Sequence, residues 1–268
     1  MTKDTILITG GSSGFGLELA HRFAASGHPL VLVALPGKAL DLAKSEVEQR
    51  YPGIHVYTLP VDLTAADGPD LVFSFIQNKG LTIDGLINNA GFGTWGFLPD
   101  ISQEKEEAMI HLNILALYRL TRLFLPGMIA RKRGQIMHIA SIAAFQPNPY
   151  MATYGATKAF VRSFSQALER ELKDQGSPVR VTTVCPPAAR TPFREASGMK
   201  DSALFSGWLS VDAPLVADAA FRAYQRKQGL MIPGRLYRIL HVLTRFLPEW
   251  VSTNIAIQTL RKGLPIHK

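Results

Sequence analysis

The segment Ile6-Leu7-Ile8-Thr9-Gly10-Gly11-Ser12-Ser13-Gly14-Phe15-Gly16 constrains the fold more than any other part of the chain. The short apolar run reads as a buried strand, and Leu17, Leu19, Ala20, Phe23 and Ala24 follow it at helical spacing. Strand, glycine turn, helix is the layout that sets backbone N–H groups and a helix N-terminus against a pyrophosphate. The spacing of Gly10, Gly14 and Gly16 differs from the common G-x-G-x-x-G, and a flexible turn would account for the bare pattern. Its place after a strand and before a helix points to nucleotide binding.

The alternation then continues. Strands are expected at 29–34, 55–59, 85–88, 134–140, 179–184 and 229–232. Helices are expected at 39–50, 67–79, 151–173 and 212–228, with a long one over 102–130 interrupted near Pro126-Gly127. Repeated βα units imply an α/β fold, a parallel sheet with helices on both faces. A chain of 268 residues, 47% of them hydrophobic, suits one large domain with an ample core. The single cysteine, Cys185, excludes an internal disulfide and closes an apolar run, as a buried small side chain does. The first residues enter a strand without the basic start and apolar stretch of a signal peptide, so a cytoplasmic protein is expected.

Chemistry concentrates between Ser141 and Lys158, which hold a hydroxyl at Ser141, a phenol at Tyr154 and an ammonium at Lys158. Tyr154 and Lys158 stand four apart at the start of a helix and so share a face. Two charges roughly 5 Å apart at an effective dielectric near 20 would favour phenolate by about 3 kcal/mol, or roughly two pKa units. A tyrosine so placed trades protons near neutral pH. Elsewhere, Asn88-Asn89-Ala90-Gly91 follows a strand with small residues and amides, as a ligand-approaching turn or a plain turn would. Asn113 lies in an apolar helix face, where a structural asparagine is the simplest reading. The segment after the second strand, Ala34-Leu35-Pro36-Gly37-Lys38, lacks the acid that holds a ribose 2′-hydroxyl. Lys38 is the nearest cation, either a partner for a 2′-phosphate or an ordinary solvated side chain. This favours NADP(H) over NAD(H).

Taken together, Thr9 to Gly16, Asn88 to Gly91, Ser141 and Tyr154-Gly-Ala-Thr-Lys158 resemble the successive signatures of the short-chain dehydrogenases/reductases, from the first strand to about Thr191. The resemblance implies a single Rossmann-like doubly wound domain over 1–232 with about seven strands in the order 3-2-1-4-5-6-7. It implies Tyr154 as general acid toward a carbonyl oxygen, Ser141 as the group polarising that oxygen, and Lys158 as the residue that lowers the tyrosine pKa and holds the nicotinamide ribose. Asn113 would anchor a water for proton relay. Gly10, Ser12, Ser13, Gly14, Phe15 and Gly16 would meet the pyrophosphate, Asp62 and Leu63 the adenine, Asn89, Ala90 and Gly91 the adenosine side, and Pro186 and Thr191 the nicotinamide. This chemistry requires no metal. Tyr150 is a decoy, because residue 154 after it is not a lysine.

Pro187 stands where the family has a glycine. With the early Gly-Gly-Ser-Ser-Gly, the Pro186-Pro187 turn resembles the 3-ketodihydrosphingosine reductases and other long-chain ketone reductases. Residues 193–210 match the substrate lid and are rich in Phe193, Met199, Leu204, Phe205, Trp208 and Leu209, while Phe92, Trp95 and Phe97 follow the fourth strand. Such groups line apolar pockets. The expectation is an NADP(H)-dependent oxidoreductase interconverting a ketone and a secondary alcohol on an apolar, long-chain substrate such as 3-ketodihydrosphingosine. The alternatives are an NAD(H)-dependent dehydrogenase of a small hydroxy or steroid-like substrate, a nucleotide-sugar epimerase, or a cofactor-binding sensor.

The net charge of +8 resides in the tail: from Arg222 onward there are 9 basic residues against Glu249 alone. Residues 233–268 form an expected extension on or beside the domain, read as one amphipathic helix with Leu236, Ile239, Leu240, Leu243, Phe246 and Leu247 on one side and Arg235, Arg238 and Arg245 on the other. It would lie at a membrane surface, or pack on the domain or a homo-dimer or homo-tetramer interface. The absence of aromatic platforms among these cations argues against a nucleic-acid partner.

Overall fold

The computed structural model describes residues 4–199, 210–244, 246–261 and 264. Its elements are β1 (Thr5–Thr9), α1 (Gly14–Ala25), β2 (Leu30–Ala34), α2 (Lys38–Arg50), β3 (Val56–Pro60), α3 (Gly68–Asn78) and β4 (Ile83–Asn88). After these come α4 (Gln103–Ile110), α5 (Leu117–Ala130), β5 (Gln135–Ile139), α6 (Ala152–Asp174) and β6 (Arg180–Val184). The last part holds β7 (Ala189–Arg190), α7 (Phe193–Ala196), β8 (Val211–Asp212), α8 (Ala213–Gln225), β9 (Leu230–Met231), α9 (Arg235–Thr244) and α10 (Glu249–Leu260). Seven parallel strands form one sheet in the order β3-β2-β1-β4-β5-β6-β9, and β7 pairs with β8 in a separate short ladder. Counted along the main sheet this is the expected order.

Both faces of the sheet are covered, and the strands show why. In β1, Ile6 and Ile8 join one core with Leu19, Ala20 and Phe23 of α1, while Leu7 joins the other with Val72, Leu120 and Phe124 of α3 and α5. In β2, Leu30 and Leu32 face the first core and Val31 and Val33 the second. Alternation by two with apolar residues on both sides is the signature of a strand buried on both faces.

The long helix differs from expectation in where it is irregular. Pro126 lies inside α5, whose buried Leu120, Phe124 and Met128 hold the helix through the missing ladder bond. The irregularity is instead a π-turn at His111–Ala116, joining α4 to α5 around Asn113. Such turns are frequent at functional sites. The helix from Gln103 to Ala130 is long and apolar enough to cross a membrane by composition; 39% of its apolar window is buried, with Leu120 and Phe124 packed against residues of β4 and α3.

The tail is two helices, not one, because Pro248 cannot continue α9 and instead opens α10. Its faces also differ from the expected division. Leu236, Ile239, Phe246 and Leu247 are exposed, and α9 is held through Tyr237 and through His241, whose ring lies 3.9 Å from that of Phe145. The side chains of Leu240, Leu243, Arg235 and Arg245 lie outside the described residues, as do 200–209 with Leu204, Phe205, Trp208 and Leu209 of the expected lid.

Candidate active site

Strand order reverses between β1 and β4, and the crevice beyond their C-terminal ends is where open α/β sheets bind ligands. Gly10 and Gly11 donate to Val33 O at 2.7 and 3.3 Å, which presses the glycine turn against the end of β2. Ala34 to Lys38 therefore leaves β2 beside this turn, with Leu35 and Lys38 exposed. Gly10 and Gly14 have φ of +65° and +52°. A Cβ at Gly16 would lie 2.1 Å from Gly10 O and 2.5 Å from Asn89 Nδ2, so only glycine fits. Ser13 precedes α1 without a side-chain cap, which leaves the first N–H groups of the helix facing the crevice. Phe15, in the first turn of α1, packs against the core, and Ser12 is half-buried.

The turn is held from the β4 side. Thr9 Oγ1 accepts from the N–H of Asn89 and of Ala90, both at 3.0 Å, and Asn89 Nδ2 donates to Thr9 O at 2.9 Å and Gly10 O at 3.3 Å. Asn89 is thus a strut whose amide serves the protein. Thr9 was not among the expected site residues, although a hydroxyl at a strand's last position before a glycine turn is a readable signal. Asp62 accepts from Thr64 N and Oγ1 at 2.8 and 2.7 Å, whereas the Leu63 side chain is core, so any ligand contact from Leu63 is through its main chain.

The proton-handling groups meet at the β5 and α6 end of the crevice. Ser141 Oγ accepts the N–H of Ala143 at 3.1 Å, capping the short 3₁₀ turn Ile142–Phe145 and keeping its own hydrogen available to donate. Tyr154 lies beside Ser141, and burial raises its phenol to about 12 against the partial opposition of the Ser141 hydrogen bond. Lys158 is lowered by burial to about 8. Its Nζ donates to Ile139 O at 3.0 Å and lies 5.8 Å from the Tyr154 ring centroid. Burial dominates the Tyr154 phenol, and Lys158 is not among the groups that lower it. The Lys158 ammonium is turned toward a strand carbonyl.

The Asn113 side chain is engaged within the protein. Its Oδ1 accepts Phe92 N–H at 3.2 Å, and its Nδ2 donates to Phe92 O at 2.9 Å and Thr157 Oγ1 at 3.1 Å. This side chain clamps the loop after β4 to α6. A Cβ at Gly91 would meet Asn113 Oδ1 at 2.8 Å and Lys158 Nζ at 3.4 Å, which places Ala90-Gly91 against the same groups. On the opposite wall, Thr191 and Pro192 lie against Gly14, and Pro186 O accepts Ile142 N–H at 3.0 Å.

Around Tyr154 the walls are apolar. Met109, Met151, Met199, Ala256 and Leu260 are buried with it, and Phe92, Trp95, Tyr150, Ala188 and Phe193 pack against them. The Phe193 ring lies 5.4 Å from that of Tyr154, so the first part of the expected lid sits on the phenol. Trp95 Nε1 donates to Leu260 O at 2.9 Å, tying the tail to the loop after β4. Met109, Ala256 and Leu260 had no sequence signal linking them to this site. They are ordinary apolar residues brought in by the path of α4 and the tail.

The glycine cradle, the uncapped helix start and the buried phenol, serine and lysine fit a nicotinamide dinucleotide. Residues 4–201 match the short chain dehydrogenase family. A very-long-chain 3-oxoacyl-CoA reductase from Neurospora crassa is 36% identical over 177 residues, 65% of this chain and 53% of that protein. One from Macaca fascicularis is 34% identical over 270 residues, 97% of this chain and 80% of that protein. Among the fungal relatives, the chain spans about half the length of the protein it matches. A short-chain dehydrogenase from Sphingobium yanoikuyae, solved in complex with NADPH, has a TM-score of 0.80 at 33% identity and covers 99% of this chain and 98% of that one. Sheet order, motif order and matched length agree: the chain belongs to the short chain dehydrogenase family.

Proposed function

We propose that the protein is an NADPH-dependent reductase that converts a ketone on an apolar, long-chain substrate to a secondary alcohol. The observation that carries this reading is the burial of the Tyr154 phenol, with Ser141 and Lys158 beside it, among apolar side chains. The cofactor supplies hydride; the protein supplies the proton and the geometry. Ser141 donates its hydroxyl hydrogen to the carbonyl oxygen and polarises it. Tyr154, kept protonated by burial, gives its proton to the same oxygen as negative charge develops there. Lys158, freed from Ile139 O, binds the nicotinamide ribose and offsets the charge left on the phenolate. Asn113 holds Phe92 and Thr157 so that the loop after β4 keeps its distance from α6. Gly10 to Gly16 and the start of α1 receive the pyrophosphate, and Thr191 the nicotinamide. Lys38, with no acid in 34–38, supports NADPH over NADH, as does the NADPH complex of the Sphingobium relative.

The substrate class proposed is 3-oxoacyl thioesters or 3-ketodihydrosphingosine and not small polar sugars, a reading supported by the apolar surroundings of Tyr154 and by the relatives named 3-oxoacyl-CoA reductases. The test follows NADPH oxidation with 3-oxoacyl thioesters of increasing chain length, 3-ketodihydrosphingosine and a ketose. kcat/KM should rise with chain length, and Tyr154→Phe should lower kcat by about 10³-fold or more while cofactor affinity holds. Near-normal kcat in that variant, or preference for the ketose, would overturn the reading.

The tail fits a peripheral contact with anionic lipid. Phe246 and Trp250 are 83% and 69% exposed, Ile239 and Val242 are exposed on α9, and the basic excess lies in the same segment. Flotation with anionic vesicles, lost in Phe246→Ser/Trp250→Ser, tests this contact. The same chain is also proposed to associate as a homo-dimer or homo-tetramer, which sedimentation decides.

A further inference from the structure

Between Ser141 and Tyr154 the chain is fastened by a side chain, because its prolines leave few main-chain donors. Pro147 and Pro149 flank Asn148, so neither neighbour has an N–H to give, and each ring pushes the residue before it toward extended backbone. Gln146 is accordingly extended, with φ of −155° and ψ of 162°. The nearby carbonyls are met by the Asn148 side chain instead: Nδ2 donates to Ala143 O at 2.7 Å and to Gln146 O at 2.6 Å. Two carbonyl acceptors require the NH₂ end of the amide, and both its hydrogens are committed.

This fastening joins the supports of the serine and the tyrosine. Ala143, whose carbonyl Asn148 holds, is the residue whose N–H Ser141 Oγ accepts at 3.1 Å. Asn148 thus closes the turn that Ser141 caps. At the other end, Asn148 O accepts Met151 N–H at 3.0 Å, and Met151 O accepts Gly155 N–H at 2.8 Å, which ties the segment to the first turn of α6. Gly155 follows Tyr154, and a Cβ there would lie 2.6 Å from Asn148 Nδ2. The amide therefore rests on the α6 backbone beside Tyr154, in space that a side chain at 155 would fill.

We propose that Asn148 is a positioning residue that fixes the Ser141 hydroxyl relative to the Tyr154 phenol by clamping the serine's turn onto α6 at Gly155. The proposal rests on the reading of Ser141 as the group that polarises the substrate carbonyl. Two groups must converge on one oxygen, and a misplacement of about 1 Å costs roughly 10²-fold in rate.

The test combines a double-mutant cycle in kcat, followed by NADPH oxidation with a long-chain 3-oxoacyl thioester, with amide hydrogen exchange of the protein alone. Asn148→Ala should lower kcat by about 10- to 100-fold, with KM and the NADPH Kd changed by less than about threefold. Asn148→Asp keeps the shape but removes both hydrogens, and should lose as much. In a Ser141→Ala background, Asn148→Ala should lower kcat by less than about twofold, because a residue acting through Ser141 has nothing left to position. A merely structural asparagine would cost the same in both backgrounds. Gly155→Ala, which displaces the amide, should reproduce the Asn148→Ala loss and add little when the two are combined. Exchange of the Ala143 N–H should quicken about tenfold or more in Asn148→Ala, while β1 and β4 exchange as in wild type. Equal kcat losses with and without Ser141, wild-type kcat in Asn148→Ala, or unchanged exchange at Ala143 would overturn the proposal. If the wild type reduced no ketone, the reductase reading would fall, and exchange at Ala143 would decide the Asn148 clamp by itself.

Discussion

The ammonium of Lys158 donates to the main-chain carbonyl of Ile139 at 3.0 Å, and Lys158 is 5% exposed. A lysine is thereby held inside the protein by one neutral oxygen. Burial lowers its pKa to about 8 from 10.5. The unfolded chain binds this proton more tightly than the folded one, so the group costs stability below about pH 8, and stability rises with pH between about 8 and 10.5.

It follows that Lys158→Met should stabilise the protein at neutral pH while removing turnover. The loss of an acceptor's partner at Ile139 O offsets part of the gain, which should be about 1–2 kcal/mol, or a few degrees in Tm. The gain should shrink as pH approaches about 10, where the wild-type lysine is already neutral when folded. Thermal denaturation of both proteins across this range checks it; a variant less stable than wild type at neutral pH contradicts it.

Thr9 offers a second test, of the link between the two halves of the crevice. Thr9→Val keeps the shape but removes the acceptor shared by Asn89 and Ala90 N–H groups. Two donors left without their acceptor should cost about 2 kcal/mol, and the loosened turn should raise the NADPH Kd about tenfold. Thr9→Ser restores the oxygen and should restore both properties. Denaturant melts and cofactor fluorescence titration read them out.

What the residues foretold and what they did not separate along physical lines. The alternation of Ile6-Leu7-Ile8 with Leu19 and Phe23 is local periodicity, and it determined the sheet and its helices. The motifs placed Ser141, Tyr154 and Lys158 together because four-residue helical spacing and strand ends are local geometry as well. The burial that raises the Tyr154 phenol was not legible, because it depends on Met109, Met199 and Leu260, which arrive from elsewhere in the chain. Asn113 was singled out by the family motif, but its clamp on Phe92, a contact across 21 residues, was not legible in local pattern. The tail divided at Pro248 where helical periodicity ran on, since amphipathic spacing does not register a helix that restarts in a new direction.

Gly16→Ala tests the cradle directly. Its Cβ would overlap Gly10 O at 2.1 Å, and the obstructing atom is backbone held to β2, so it cannot move aside cheaply. The turn must open or α1 must shift. Stability should fall by about 2–3 kcal/mol, and cofactor binding should become undetectable at concentrations that saturate wild type. A variant that binds NADPH normally would show that the turn is not the pyrophosphate cradle.

Ala256 tests whether the tail shapes the substrate chamber. It is 5% exposed, comes from α10, and shares the cluster around Tyr154 with Met109 and Leu260. Ala256→Phe adds a ring to the cluster that Phe193 packs against, and overpacking of this kind costs about 1–3 kcal/mol where no space exists. If the cluster is the substrate chamber, the ring occupies volume that a long acyl chain uses and a short ketone does not. KM for a long-chain 3-oxo substrate should rise about tenfold, while kcat/KM for a short ketone and the NADPH Kd change by less than about threefold. Equal losses for both substrates, with cofactor affinity intact, would place Ala256 in ordinary core and move the substrate chamber away from α10.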